Sequence, residues 1–345
     1  MRDRHEEMFA LLIIAAIVVW PPTPRTQVIA SQTPLRLVRT IPLPDVQGRI
    51  DHMAVDVKGN RLFVAALGNN SLEVIDLNAG KHSRSVKGFH EPQGVAYLPN
   101  LNRLAVANGQ GGGLVILDGA SFREIHRVAS LEDADNVRAV GGEFVVGYGR
   151  GAMTRINGKT GVNYAEPYST LSGHPESFQL SKNNCWFINV PTAGQVAVMD
   201  SEKMAPIGKW EVKAARDNYP MAVDNSASRV FIGCRKPPKV LIYQWRNLIS
   251  DTGWHVTGDL KNSLEIHGDT DDLFWDAARR RLYVSCGEGY IDIYQEGKSG
   301  EWLRQSIATV PGARTSLWIP ELNQLVLACR RNRSQPAEIR VYEAQ

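Results

Sequence analysis

The stretch Asp51-His-Met-Ala-Val-Asp-Val57, Lys58-Gly-Asn60, Arg61-Leu-Phe-Val-Ala-Ala-Leu67, Gly68-Asn-Asn70, Ser71-Leu-Glu-Val-Ile-Asp-Leu77 reads as three strands joined by two tight turns. Each run is about seven residues long, alternates or is wholly apolar, and is bounded by Gly and Asn, which is the signature of strands and hairpins. A fourth run, His82 to Gly88, completes a four-stranded unit. One such sheet has two faces and covers neither by itself, so it needs neighbours of its own kind.

Those neighbours are in the chain. The second strand recurs with starts at Leu62, Leu104, Phe144, Trp186, Val230, Leu282 and Leu325, at spacings of 42, 40, 42, 44, 52 and 43 residues. The third strand returns as Leu114-Val-Ile-Leu-Asp118, Gln195-Val-Ala-Val-Met-Asp200, Val240-Leu-Ile-Tyr243, Tyr290-Ile-Asp-Ile-Tyr294 and Glu338-Ile-Arg-Val-Tyr342. The seventh unit stops after its third strand, and Leu35-Arg-Leu-Val-Arg-Thr-Ile-Pro-Leu43 at the other end offers the strand it lacks. The expected fold is all-β: a seven-bladed β-propeller of four-stranded antiparallel blades, a single domain over residues 35–345. Residues 35–43 are expected to close the ring as the outer strand of the blade built from residues 300–345, which hides the edges of an open sheet.

Lys and Arg number 39 against 36 Asp and Glu, a formal net charge of +3, so there is no strong nucleic-acid signal. Residues 1–34 stand outside the repeat. Phe9 to Trp20 is an apolar run too short for a membrane span and of the right length for a signal-peptide core, with Arg2 and Arg4 before it and Val28-Ile-Ala30 as a cleavage tripeptide. The chain is therefore expected to be exported, periplasmic or extracellular, and monomeric. The alternative is a membrane-tethered protein with an uncleaved N-terminal segment, the sole part expected to meet a membrane. Cys234, Cys286 and Cys329 hold one place in successive repeats and read as small buried core residues, not a disulfide framework. Cys-x-x-Cys-His, Gly-x-Ser-x-Gly, Walker and dinucleotide-binding motifs are absent.

In this architecture the loops leading into the innermost strands open together on one face of the central channel. They read Gly48-Arg-Ile-Asp-His52, His90-Glu-Pro-Gln-Gly94, Asp133-Ala-Asp-Asn-Val-Arg138, Gly173-His-Pro-Glu-Ser177, Arg216-Asp-Asn-Tyr-Pro220, His267-Gly-Asp-Thr-Asp-Asp272 and Gly312-Ala-Arg-Thr-Ser316. The turns of the opposite face, such as Lys58-Gly-Asn60 and Lys182-Asn-Asn184, are ordinary solvated turns. The density of His, Asp and Arg on the first face predicts a ligand-binding funnel. Its expected residues are Asp51, His52, Glu91, Asp135, Asn136, Arg138, His174, Glu176, Asn218, Asp269, Asp271 and Arg314. Carboxylates so gathered repel, and Arg49, Arg138, Arg314 or a cation must offset them. Asp269, Asp271 and Glu176 are the candidate metal ligands, for Ca²⁺ or Mg²⁺, with His52, His174 and His267 as suitable nitrogen donors. No other cofactor is expected.

From about residue 35 to its end the chain resembles the YVTN-type β-propeller proteins, exported propellers of bacteria and archaea. Asn60-Arg-Leu-Phe-Val-Ala65 and Arg281-Leu-Tyr-Val-Ser285 look like that family's second-strand motif, continued by Asn69-Asn-Ser-Leu-Glu-Val-Ile-Asp76, although the Tyr-Val-Thr-Asn tetrapeptide itself is absent. Glu91-Pro-Gln-Gly94 and Gly268-Asp-Thr-Asp-Asp-Leu-Phe274 look like a bacterial subgroup without assigned function. The resemblance implies a binding or scaffold role in the cell envelope. Related propellers include lactonases and metal-dependent lyases, and fold does not carry function between them. The leading expectation is a non-catalytic module that binds a small polar ligand or partner protein in the funnel. The alternative is a metal-dependent lactonase- or lyase-like enzyme using the same funnel, with His174 as acid or base.

Overall fold

The protein, seen in a computed structural model, is described over residues 33–164, 171–250 and 253–345. The expected signal peptide or anchor and its cleavage point lie outside the described residues. Among the described residues no helix is long and apolar enough to cross a membrane.

Residues Pro34–Gln345 form seven antiparallel sheets, one per repeat. The first blade runs Met53–Asp56, Arg61–Ala66, Ser71–Asp76 and Lys81–Lys87, from the innermost strand outward. Every second strand begins within a residue of the start read from the repeat. The third blade's described part has three strands, Val137–Val140, Glu143–Tyr148 and Ala152–Asn157, with a lone bridge from Ile156 to Asn163. The wide 52-residue spacing is explained by the fifth blade, whose third and fourth strands, Pro238–Ser250 and Gly253–Glu265, are 13 residues each.

Leu35–Leu43 is the outer strand of the last blade, pairing antiparallel with Ala337–Ala344 from Leu35 opposite Ala344 to Leu43 opposite Ala337. One boundary differs from expectation. Trp302–Ala308 pairs with Tyr290–Glu296 as the outer strand of the sixth blade, so the last blade begins at Thr315. The physical reason is the order of the unit: an outer strand comes before the loop that leads into the next blade.

The core lies between blades. The second strands are mostly apolar and buried along nearly their whole length because both faces are covered, as in Arg61–Ala66 and Gln324–Cys329, each buried after its first residue. An aromatic in this strand meets one in the next blade's innermost strand. Phe63 lies 5.5 Å from Tyr97, Phe231 lies 5.1 Å from Trp275, and Tyr283 lies 5.0 Å from Trp318. Burial of each such ring is worth about 1.5–3 kcal/mol. Cys185, Cys234, Cys286 and Cys329 are free and buried in these cores.

The opposite-face turns share a left-handed residue, Asn60, Asn102, Asn184, Ser228, Arg280 or Asn323, with φ between 49° and 58°. Asn is enriched in that conformation because its short amide bonds locally to the backbone. The ring closes through a core that joins Ile41, Ile319 and Ile339 of the last blade to Met53, Leu62 and Ile75 of the first. Ile41→Ala should therefore cost about 2–5 kcal/mol in urea denaturation. Leu37→Ala, on the same strand at 47% exposure, should stay within about 0.5 kcal/mol of the parent.

Candidate functional site

The site begins as a property of register. In the first blade the Asp51 N–H donates to Ala65 O (2.7 Å) and the Ala65 N–H donates to His52 O (3.0 Å). The pattern returns in the third blade, where Asp135 N–H bonds Gly147 O and Gly147 N–H bonds Asn136 O, and in the fourth, where Glu176 and Ser177 bracket Asn189. Carrying the strand registers through the other blades gives the matched residues Gln93, Tyr219, Asp271 and Arg314. One position, repeated seven times around the axis, therefore holds Asp51, Gln93, Asp135, Glu176, Tyr219, Asp271 and Arg314. All seven are polar.

Five of these seven were expected from sequence. Glu91 and Asn218 were expected too, and the structure puts them elsewhere. The innermost strands of the second and fifth blades carry register shifts, between Pro92 and Val95 and between Asn218 and Met221. The same two-against-one pairing sets Asp51 and His52 against Ala65 in the first blade, so this bulge recurs around the ring and brings Gln93 and Tyr219, rather than Glu91 and Asn218, to the channel. Glu91 is exposed, in left-handed backbone with φ of 50°. Asn218 is buried and ties two blades together, donating to Asn189 Oδ1 and Gln195 O, both at 3.0 Å. Gln93 and Tyr219 hold the matched positions.

The same shift occurs between Thr270 and Asp272 in the sixth blade. Asp271 and Asp272 both reach the funnel, where Asp272 accepts the Ser316 N–H at 2.8 Å and acts on His52 and Asp51. Strict alternation would have sent one of the pair away. His267 does not join the funnel. It stacks on Tyr290 at 3.8 Å and pairs with the buried Asp292 at 2.9 Å.

Arginines neutralise part of the acidic ring. Arg49 lies 2.7 Å from Asp51, and Arg314 reaches Asp269 at 2.6 Å and Asp271 at 3.0 Å. Arg235, near the end of the second strand of its blade, Arg229–Lys236, also pairs with Asp271 and stacks 3.9 Å from the Tyr219 ring centroid. The lead-in loops of the sequence do not include it. Arg138 donates to Asn136 Oδ1 at 3.1 Å and lies over the Phe178 ring, and burial lowers its pKa. His174 reaches back to the third blade, with Nδ1 2.6 Å from Gly149 O and Nε2 3.7 Å from Asp135 Oδ2. Asp269 and Asp271 are thus held by arginines. The side chains whose donor atoms come within 4.8 Å of one another, as a metal set requires, are Asp135, His174 and Glu176.

Burial raises Glu176 to about 8, with the Asp135 charge adding to it. Burial likewise raises Asp272 to about 7 and Asp51 to about 6. For His174 burial acts downward, but Asp135, the Gly149 carbonyl and Glu176 outweigh it and raise the imidazole to about 9. Asp135 goes the other way: burial pushes it up, and His174, His52 and Arg49 bring it below its ordinary value. Beyond the charged ring, a cavity of about 340 Å³ continues between the innermost strands, walled by Met53, Tyr97, Phe274 and Leu317. Glycine is required at one place on this floor, because a Cβ at Gly94 would stand 2.1 Å from Asp135 O and displace the ring.

No family model matches the chain, and no curated protein matches it. Among solved structures the chain is similar to the β-propeller domain of Cps50 (Swd1) from Myceliophteria thermophila, with a TM-score of 0.70, 11% identity, and coverage of 90% of this chain and 100% of that one. At that identity the likeness establishes the fold alone: this chain is a β-propeller.

The raised groups set a pH dependence. Glu176, Asp272, Asp51 and His174 hold protons more tightly folded than unfolded, so their contribution to stability is full at low pH and is lost as pH rises through their folded values. Asp135 acts oppositely, and only in acid. The Tm of the metal-free protein should fall between pH 5 and 9, and Glu176→Gln should flatten that fall below about pH 8. A slope unchanged in Glu176→Gln would contradict this assignment.

Proposed function

We propose that this propeller is a binding module that takes a small polar ligand, or a polar segment of a partner protein, into the funnel on its lead-in-loop face. The observation that carries the reading is the ring of seven matched polar positions, four of them carboxyls, with four arginines close by. Such a site is costly to build and is preorganised, because every member stands at the start of a strand locked into a sheet. Arg235 and Arg314 favour carboxylate or hydroxyl groups on the ligand, and protonated Glu176 and Asp272 supply neutral donors. The chain's resemblance to exported YVTN-type propellers supports the same class of role. A second reading, a metal-dependent hydrolase or lyase, is favoured by the placing of His174 beside Asp135 and Glu176.

A thermal-shift panel of sugars, hydroxy acids and amino acids in EDTA tests the binding reading. At least one class should raise Tm, and Arg314→Ala or Asp271→Asn should reduce that shift at least fivefold. A panel without response, or a shift indifferent to both substitutions, would remove the funnel as the site.

We further propose that the chain is exported and cleaved after Val28-Ile-Ala30. Intact mass of the protein from its native host should then correspond to a chain starting at Ser31, and a full-length membrane-bound species would favour the anchor instead.

A further inference from the structure

We propose that Asp135, His174 and Glu176 bind one divalent first-row metal ion, of the zinc type, at the wall of the funnel. This inference rests on the reading of the funnel as the binding site and adds to it the cation that would anchor a ligand oxygen.

Three observations carry it. The first is the imidazole. His174 Nδ1 lies 2.6 Å from the Gly149 carbonyl oxygen, which can only accept, so Nδ1 keeps its hydrogen and Nε2, facing Asp135, is the nitrogen that gives up its proton to a metal ion. Fixing one ring nitrogen on a backbone carbonyl while the other points at the metal is how ligating histidines are held. The second is spacing. Nε2 and Asp135 Oδ2 stand 3.7 Å apart, too far for a hydrogen bond. Two donors each about 2.1 Å from a common ion, at tetrahedral to trigonal angles, lie roughly 3.4–3.6 Å apart.

The third is a surplus of acceptors. Among the described residues no hydrogen bond or ion pair is made by the Glu176 carboxylate, although Asp135 and His174 adjoin it. Across the ring Asp51, 1% exposed, has an oxygen without a hydrogen-bond donor, with Arg49 at 2.7 Å and His52 at 3.8 Å as the charges that balance it. Asp269 and Asp271 differ, since Arg235 and Arg314 already engage them.

The donor set selects the ion. One imidazole nitrogen and two carboxylate oxygens suit zinc and its neighbours better than Ca²⁺ or Mg²⁺, which prefer oxygen throughout. Three protein donors leave a coordination position for water or a ligand oxygen. An approach exists: a groove of about 540 Å³ reaches His174 from the surface past Glu132 and Asp133, and the Asp133 side chain is 61% exposed.

The test uses the chain stripped with EDTA, dialysed, and titrated with ZnCl₂ by calorimetry, with melts in parallel. The expected result is one equivalent bound and a higher Tm. Affinity should fall at least tenfold in His174→Gln and in Glu176→Gln, while His126→Gln, which removes a histidine away from the funnel, binds as the parent does. Co²⁺ gives a readout on the parent protein that needs no variant to fold. An absorption spectrum of nitrogen and oxygen ligation, displaced by Zn²⁺, supports the proposal, and a thiolate charge-transfer band would assign the metal to the buried cysteines and overturn it. Zn²⁺ binding that survives both funnel substitutions, or no binding, also overturns it. The polar-compound panel in EDTA separates the two readings: organic ligands that bind without Zn²⁺ binding would sink the metal site and leave the funnel standing.

Discussion

The whole molecule depends on strands that are buried on both faces. A sheet whose second strand is mostly apolar on both faces must have a neighbour on each side, so any open row of such sheets ends in two bare apolar surfaces. Closing the row into a ring removes both. The last joint is made by Leu35–Leu43 against Ala337–Ala344, and Arg281 fastens the seam by donating to Pro34 O at 3.1 Å and Gln345 O at 3.0 Å. Ring closure also aligns the lead-in loops, so a choice made at one position of the unit is repeated around the axis.

That repetition explains the funnel's electrostatics. Seven copies of one position point at one centre, and acidic residues at four of them would repel strongly in the interior. The structure relieves this in two ways. Arg49, Arg235 and Arg314 pair with Asp51, Asp269 and Asp271, and Glu176 keeps a proton near neutrality. The apolar joints between blades offset what this costs, and the polar centre can remain strained because the scaffold holding it is stiff.

The fold was legible because its signal is redundant. Seven second strands repeat one burial requirement, and the missing strand of the last unit pointed to the first residues of the propeller. The site was legible where the matched position is charged. Asp51, Asp135, Glu176, Asp271 and Arg314 follow from the charges at the start of each innermost strand. Gln93 and Tyr219 are uncharged and do not stand out from their loops, and Asp272 escapes because simple alternation would send it away from Asp271, whereas the two-against-one pairing that recurs around the ring keeps both on the funnel. Arg235 escaped for a different reason: it comes from the end of a second strand, Arg229–Lys236, and not from a lead-in loop.

The seam has a consequence in time. Leu35 is among the first residues of the propeller to be made, and Ala344, opposite it in the finished sheet, is the last but one in the chain. At about 5–20 residues per second the partner strand appears roughly 15–60 s later. Through that interval Ile41 and Leu43 have the first blade on one side and lack Ile319, Val326 and Ile339, their cover from the last blade. The growing chain carries an unpaired strand edge and an apolar stripe at its leading end, the kind of surface that holdase chaperones bind and that other nascent chains can capture.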